Sequence, residues 1–244
     1  MADAADKIGD WIALDAPRLA VVASRPMRGT FVERPHRFAA FVDLADGSRV
    51  QAHVANPGRL TGVIAPGCVV ALDGPYPPPR ALTHTMLASR PSRTWIGTNT
   101  IYANRIFPAL RAAGLFPELG EGEMASEVKH GRSRFDFQVG TRFVEVKSVT
   151  LAQGRRGLFP DAVTARGARH CDELGDLARR GTACTIVFVA QRGDVESVAP
   201  EDDVDPNFGR AIRAAAKSGV IVLACALDLT PDGARRARRL PVLL

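Results

Sequence analysis

The stretch from Ser126 to Thr150 constrains the fold most strongly, because it contains three short segments of strand composition separated by two tight turns. The predicted strands cover residues 126–131, 133–139 and 142–149, and the turns are Gly131-Arg132 and Gly140-Thr141. Each turn brings its flanking strands side by side. The sequence therefore predicts a compact three-stranded unit around which the rest of the chain is built.

Three charged residues of this unit are predicted to meet on one patch. Glu145 and Lys147 are two positions apart and so project from the same face of their strand. Antiparallel pairing of residues 134–137 with 142–147 places Asp136 opposite or diagonal to that pair. Carboxylates hold Mg²⁺ with several waters left in its shell, and a lysine can position a water and offset charge on a phosphate. Asp136, Glu145 and Lys147 are therefore candidate catalytic residues, and the two acids are candidate metal ligands.

The same three residues are also typical of an ion-pair cluster on a solvated hairpin. Composition favours the catalytic interpretation, because only four of the 32 basic residues are lysines. A generic surface cation in this chain would usually be an arginine, which does not lose its proton at working pH, whereas a lysine can.

Several ordered motifs resemble the sugar fermentation stimulation protein A family. They are residues 127–137 (EVKHGRSRFDF), 144–150 (VEVKSVT), 158–170 (LFPDAVTARGARH), 56–62 (NPGRLTG), 97–100 (GTNT) and 189–192 (VAQR). The resemblance covers nearly the whole chain after about residue 17. It implies a small oligonucleotide-binding-like (OB-like) barrel followed by a PD-(D/E)xK nuclease-type domain. It also implies DNA binding and a part in regulating sugar (maltose) metabolism. Phe135 stands where the general nuclease motif has proline.

The expected fold is α/β, in the two-domain α+β sense, with an N-terminal extension over residues 1–16, the OB-like barrel over 17–94 and a restriction-endonuclease-like mixed-sheet domain over 95–244. The extension is expected to be a short helix or disordered. Five short strands at 18–25, 28–34, 37–44, 49–54 and 67–73 suit a small barrel. Residues 84–89 and 95–97 are predicted strands that return to the barrel or bridge the domains.

In the second domain, helices are predicted at 99–113, 163–180 and 206–218, and buried strands at 182–190 and 220–227. This alternation indicates a mixed α/β sheet. Residues 194–205 carry six acids and no base, so a solvated loop is expected there. The first helix lacks the inward glutamate of some nuclease-type domains, and Glu127 is the substitute candidate for a third metal ligand.

Charge distribution indicates an anionic partner. The net charge is +6, and residues 129–169 alone hold nine basic residues against three acids. Arginines spread over strands and helices suit phosphate contacts, so we expect DNA binding with little sequence preference. The candidate contacts are Arg59, Arg132, Arg134, Arg155, Arg156, Arg166, Arg169 and His170, with solvated surface positions as the alternative.

No apolar run reaches the roughly 20 residues of a membrane span, and the acidic N-terminus is unlike a signal peptide, so no membrane partner and a cytoplasmic location are expected. The four cysteines lack zinc-ligand spacing and are expected to be buried thiols. The oligomeric state stays open.

The sequence thus leaves competing functions. One is a phosphodiesterase on DNA that depends on Mg²⁺ or Mn²⁺. Another is a DNA-binding regulator that keeps the nuclease scaffold without cleaving. A small-molecule enzyme is less favoured, because the chain lacks the phosphate-binding, dinucleotide-binding and nucleophile-elbow motifs.

Overall fold

The first half of the chain forms a small barrel. The computed structural model describes residues 9–22, 25–131 and 133–244. The barrel strands are β2 (Met27–His36), β3 (Ala39–Leu44), β4 (Arg49–Val54), β5 (Val69–Asp73), β6 (His84–Arg90) and the short β7 (Ile96–Gly97). Their order is β4-β3-β2-β5-β6-β7, and an additional parallel pairing of β4 with β6 closes the sheet on itself. Closure leaves few unpaired backbone groups at the rim.

The barrel interior is filled by alternate residues of these strands, among them Phe31, Val42 and Val54. One predicted barrel strand is wrong. Residues 18–25 are not a barrel strand where they are described: Arg18 makes a single bridge to Gly233 near the other end of the chain, and residues 23–24 lie outside the described part. The fifth strand of the barrel is β6 instead.

The second half is built on a seven-stranded mixed sheet in the order β1-β16-β15-β13-β10-β9-β8. Its strands are β1 (Ile12–Ala13), β8 (Met124–His130), β9 (Ser133–Val139), β10 (Arg142–Val149), β13 (Cys184–Ala190), β15 (Ile221–Leu229) and β16 (Ala234–Leu240). The central strands β10, β13 and β15 are parallel, and β13 and β15 are the two apolar runs that the sequence analysis assigned to buried strands. A smaller sheet holds β11 (Leu151–Gln153), β12 (Arg156–Phe159) and β14 (Ser197–Pro200).

Three helices cover the two faces of the large sheet. Helix α1 (Ile101–Ala112) buries Tyr102, Ile106 and Phe107 in one hydrophobic cluster, and it continues through Pro108 without interruption. On the other side, α2 (Ala165–Arg179) and α3 (Pro206–Lys217) bury their apolar faces in a second cluster. The predicted mixed α/β architecture with an N-terminal OB-like barrel is confirmed.

The N-terminal extension is tied to the second half of the chain. Ile12 and Ala13 pair antiparallel with Ala237 and Arg236, so this part is a strand and the predicted helix is wrong there. Residues 1–8 of the expected extension lie outside the described residues. Leu19 packs in the cluster beneath α1.

The barrel and the large sheet also share a hydrophobic cluster. Leu87, Ala88 and Trp95 belong to the same cluster as α1 and the central strands. The backbone N–H of Gly97 donates to the carbonyl of Gln191 at the end of β13, over 2.8 Å. The predicted domain boundaries after residues 16 and 94 stay a prediction.

The acidic segment 194–205 is more ordered than expected. It contains β14, which pairs in parallel with β12. Asp205, the last acid of the segment, is buried, caps α3 at the Phe208 N–H and accepts a second bond from the Thr164 N–H. The four cysteines are buried and unpaired, as predicted. Within the described residues, no helix has both the length and the apolar character needed to cross a bilayer.

Candidate metal centre and nucleic-acid surface

The candidate site is located where strands β9 and β10 separate. Their antiparallel pairing ends at Phe137 and Val144, which is shorter than the predicted pairing of residues 134–137 with 142–147. Beyond that point the Asp136 carboxylate accepts the backbone N–H of Val146, with 2.8 Å between Oδ2 and N. The Asp136 side chain thus takes the place of a ladder bond and lies against β10.

Asp136 is held from a second direction by α1. Its Oδ1 accepts a hydrogen bond of 2.7 Å from Asn104 Nδ2. Burial raises the pKa of the Asp136 carboxyl to about 6, the negative charge of Glu145 adds to the increase, and the bond from Val146 opposes it. The negative charge of Glu145 therefore acts on Asp136, and a metal ion shared by the two carboxylates stays a prediction.

The Glu145 side chain is buried, and one of its two carboxylate oxygens is bonded to two nitrogen atoms. Lys147 Nζ lies 2.7 Å from Glu145 Oε1, and His170 Nδ1 lies 2.7 Å from the same oxygen. Burial alone would raise the pKa of Glu145, but His170 and Lys147 together outweigh it and hold the pKa below its ordinary value. Glu145 is therefore an anion at neutral pH.

The second oxygen of Glu145 is the feature that suits a cation. Glu145 Oε2 is buried and has no hydrogen-bond partner among the described residues. A buried carboxylate oxygen left without a partner is costly, and a hard cation satisfies it. Asp136 and Glu145 together supply the one or two carboxylates by which Mg²⁺ is usually held, so these residues fit the metal.

Glu127, the predicted third metal ligand, does not join Asp136 and Glu145. It lies on the exposed strand β8 with a φ of 55°, and its carboxylate is 3.6 Å from the guanidinium of Arg134. Within the described residues, no group of three or more histidine, cysteine, aspartate or glutamate side chains could hold a metal ion. Glu127 was chosen as a substitute for a helix glutamate, and its carboxylate pairs with a neighbouring arginine instead.

His170 has a different role from the predicted one. It is buried on the inner side of α2, bonds Glu145 and packs edge-on against Phe135, with ring centroids 5.8 Å apart. A carboxylate only accepts, so Nδ1 is the donor in this bond. His170 therefore cannot contact a DNA backbone and instead fixes the orientation of Glu145.

Asn104 was missed by the sequence analysis. It lies one turn into α1, three positions before Phe107 and two before Ile106, which face the sheet. Its position beside the apolar stripe was a usable signal, because a polar residue at the border of that stripe can reach the sheet that the helix covers.

Three of the predicted phosphate contacts are paired with acids. Arg134, Arg155 and Arg169 are exposed but lie near acids, at 3.6 Å from Glu127, 2.6 Å from Glu196 and 3.8 Å from Glu173 respectively. Arg156 is exposed on β12, and Arg166 is exposed in the first turn of α2. Arg132 lies outside the described residues.

Arg59 lines a cleft between the barrel and the second half of the chain. The cleft has a volume of about 560 Å³ and is lined by Arg34, His36, Arg37, Pro57, Gly58, Arg59, Phe159, Asp161, Ala162, Val163 and Thr164. The loop of residues 56–59 approaches Asp161 closely, since a Cβ on Gly58 would lie 2.0 Å from an Asp161 carboxylate oxygen. Only glycine allows this contact.

Two family models match adjacent parts of the chain. The sugar fermentation stimulation protein RE domain matches residues 101–233, and the SfsA N-terminal OB domain matches residues 32–98. Together they span the barrel strands from β2 onwards and most of the large sheet.

Individual relatives match over most of their length. A sugar fermentation stimulation protein homolog of Geobacter metallireducens is 43% identical over 223 residues, covering 88% of this chain and 96% of that protein. A homolog of Pseudomonas paraeruginosa is 39% identical over 226 residues, covering 88% of this chain and 96% of that protein. The structure of Pyrococcus furiosus SfsA in complex with Ca²⁺ superposes with a TM-score of 0.82 at 27% identity, covering 94% of this chain and 100% of that one.

Proposed function

The chain belongs to the sugar fermentation stimulation protein family, and from this premise we propose that it is a DNA-binding protein with a phosphodiesterase site that depends on Mg²⁺ or Mn²⁺. The observation that carries the proposal is the buried, unpartnered Oε2 of Glu145 beside Asp136. The solved Pyrococcus furiosus relative is described in complex with Ca²⁺, which is also a hard cation that takes oxygen ligands.

The proposal gives each residue of the centre a separate task. Asp136 and Glu145 would hold the cation through their carboxylates, and a bound Mg²⁺ would supply Lewis-acid stabilisation of a phosphate and a more acidic water. Lys147 Nζ lies 2.7 Å from Glu145 Oε1, which holds the ammonium group at the metal ligands. An ammonium has three donors, so Lys147 would also orient a water and offset charge on a phosphate. His170 and Asn104 keep the two carboxylates oriented from opposite sides of the sheet.

The proposal is tested by two measurements on purified protein. Calorimetry measures Mg²⁺ and Mn²⁺ binding, and labelled single-stranded, duplex and branched DNA is incubated with Mg²⁺, Mn²⁺ or EDTA to measure cleavage. Asp136→Asn removes a ligand charge at nearly constant shape, so metal binding and cleavage should both be lost while DNA binding stays. Lys147→Ala should keep metal binding but lose cleavage, because its task is on water and phosphate.

Asp228→Asn is the matched control. Asp228 lies on β15 and forms an ion pair with Arg236 on β16, so the change removes one carboxylate away from the candidate site. It should leave metal binding and cleavage unchanged. Absence of divalent-metal binding to the wild type would refute the catalytic proposal. The second candidate, a DNA-binding regulator that does not cleave, is favoured by the lack of a third ligating side chain among the described residues. Metal binding and DNA binding without any cleavage would support it.

A further inference from the structure

One guanidinium group holds together two loops of the barrel. Arg34, near the end of β2, donates to the carbonyls of Arg37, Asn56, Gly58 and Arg59. Its Nε lies 3.0 Å from Arg37 O, and its Nη1 lies 2.9 Å from Gly58 O. The β2–β3 hairpin and the loop of residues 56–59 are therefore fixed against each other by a single side chain.

We call Arg34 and the four carbonyls that it binds the Arg34 clamp. This clamp leaves two other arginine side chains available to a ligand. Arg37 and Arg59 contribute only backbone carbonyls to it, and both side chains are exposed at the cleft. Within the described residues, neither side chain makes a hydrogen bond or an ion pair. By contrast, six other exposed arginines are each paired with an acid, namely Arg49, Arg134, Arg155, Arg169, Arg179 and Arg236.

The hairpin that carries Arg37 also carries an exposed aromatic side chain. Phe38 follows Arg37 in the hairpin between β2 and β3 and is 45% exposed, although the other phenylalanines of the barrel region, Phe31 and Phe41, are buried or partly buried. Its backbone is fixed on both sides, because its N–H lies 3.3 Å from His36 Nδ1 and its carbonyl accepts the Val54 N–H. An exposed aromatic ring on a backbone that is held in place, in a segment that also carries a free arginine, suits stacking of a nucleic-acid base.

Asp161 is the one acid among the described residues of the cleft, and it is already engaged. Its Oδ2 lies 3.4 Å from the Leu60 N–H, and its carboxylate contacts Gly58 and feels the charges of Arg34 and Arg59. Burial raises the pKa of Asp161, and the positive charges of Arg34 and Arg59 oppose that increase. Three arginines, Arg34, Arg37 and Arg59, line the cleft together with this single acid. The cleft therefore keeps a net positive rim with an apolar side formed by Val163 and Phe159.

We propose that this cleft and the β2–β3 hairpin that borders it bind an unpaired stretch of a DNA strand, with Arg37 and Arg59 contacting consecutive phosphates and Phe38 of the hairpin stacking on a base. The inference rests on the proposed DNA-binding function and names its substrate class, which is DNA with a single-stranded segment. A stacking ring requires an exposed base face, which a continuous duplex offers only at its ends. Duplex DNA therefore gains nothing from Phe38.

Binding is measured by fluorescence anisotropy in EDTA, so that cleavage and metal binding do not contribute. The probes are a labelled 20-nucleotide single strand, the matching blunt duplex and the same duplex with a single-stranded overhang. Phe38→Ala should weaken binding of the single strand and the overhang at least about fivefold and leave the duplex unchanged. Phe38→Trp should restore tight binding. Arg37→Ala and Arg59→Ala should each reduce the slope of log affinity against log salt by about 0.7 on the single strand.

Arg236→Ala is the charge-matched control, because Arg236 is exposed on β16 and is already paired with Asp228. It should leave both the affinity and the selectivity unchanged. Melting temperatures of all variants establish that each one is folded. Equal losses for single strand and duplex in Phe38→Ala, or no loss for either, would overturn the inference. An RNA single strand that binds in preference to DNA would overturn the choice of DNA. Selective binding without cleavage would refute only the phosphodiesterase proposal.

Discussion

Replacing Asp136 by asparagine should stabilise the metal-free protein. The pKa of Asp136 is raised from 3.8 to about 6 in the folded protein, mainly by burial, so ionising this group costs more in the folded state than in the unfolded chain. A change of about two pKa units corresponds to roughly 3 kcal/mol at most. Asparagine carries no charge and avoids this cost.

Part of this gain is lost in hydrogen bonding. Asp136 accepts one bond from Val146 and one from Asn104, whereas an asparagine at this position has a single acceptor oxygen. If the new amide keeps the Val146 bond, Asn104 must turn its own amide over to accept instead of donate. We therefore expect a net stabilisation of about 1–2 kcal/mol at pH 8.

The difference in the free energy of unfolding between Asp136→Asn and the wild type should depend on pH, and that dependence identifies its cause. Because the pKa of Asp136 is higher in the folded protein than in the unfolded chain, its ionisation destabilises the folded state. This destabilisation is complete above about pH 6 and disappears as the pH falls towards 3.8. Urea unfolding in EDTA, followed for both proteins at pH 8 and near pH 4, should show the variant to be more stable only at pH 8. Groups that do not interact with Asp136 titrate alike in both proteins and cancel in the difference.

Added Mg²⁺ should stabilise the wild type and leave the Asp136→Asn variant unchanged. At a Mg²⁺ concentration 100 times its dissociation constant, the wild type should gain about 2.7 kcal/mol and Asp136→Asn should gain nothing. Asp228→Asn, which only breaks a surface pair worth about 0–1 kcal/mol, should show neither effect. A variant that is no more stable than the wild type at pH 8 in EDTA would refute the assignment of Asp136 as a strained carboxylate.

Three further predictions concern residues that support the site and the cleft. His170→Ala should lower the free energy of unfolding by about 2 kcal/mol in urea titrations, because it removes a bond to the buried charge of Glu145; an unchanged value would contradict that role. Gly58→Ala should lower it by about 1–3 kcal/mol, because the added Cβ would overlap the Asp161 carboxylate; a stable variant with unchanged DNA selectivity would argue against this close approach. Arg34→Lys should speed hydrogen exchange at the hairpin and the 56–59 loop, since one ammonium cannot reach four carbonyls; equal exchange rates would show that the clamp is dispensable.

The central three strands could be predicted because their signals are local. Gly131 and Gly140 have φ values of 58° and 56°, so the turn residues and the alternation of the flanking strands agree with each other. The closeness of Asp136, Glu145 and Lys147 followed from these two turns and from the period of a strand.

Other parts depend on contacts that the local sequence does not reveal. The choice of β6 over residues 18–25 as the fifth barrel strand depends on its parallel pairing with β4, which is distant in the chain. The orientation of His170 and Asn104 depends on how α2 and α1 are rotated on the sheet. A helix has a polar and an apolar side, but residues at the border between them can face either way.

The pairing of β1 with β16 bears on how the protein is synthesised. Ile12 and its partner Ala237 are separated by 225 positions, whereas the barrel strands pair within the first hundred residues. During translation the barrel can close soon after its strands leave the ribosome, but β1 has to wait for almost all of the second domain. A nascent chain that stalls before Ala234 leaves β1 unpaired and exposes the edge of β15, whose neighbour β16 is then missing. Incomplete chains of this protein are therefore expected to present an open strand edge to chaperones and proteases, while their barrels are already folded.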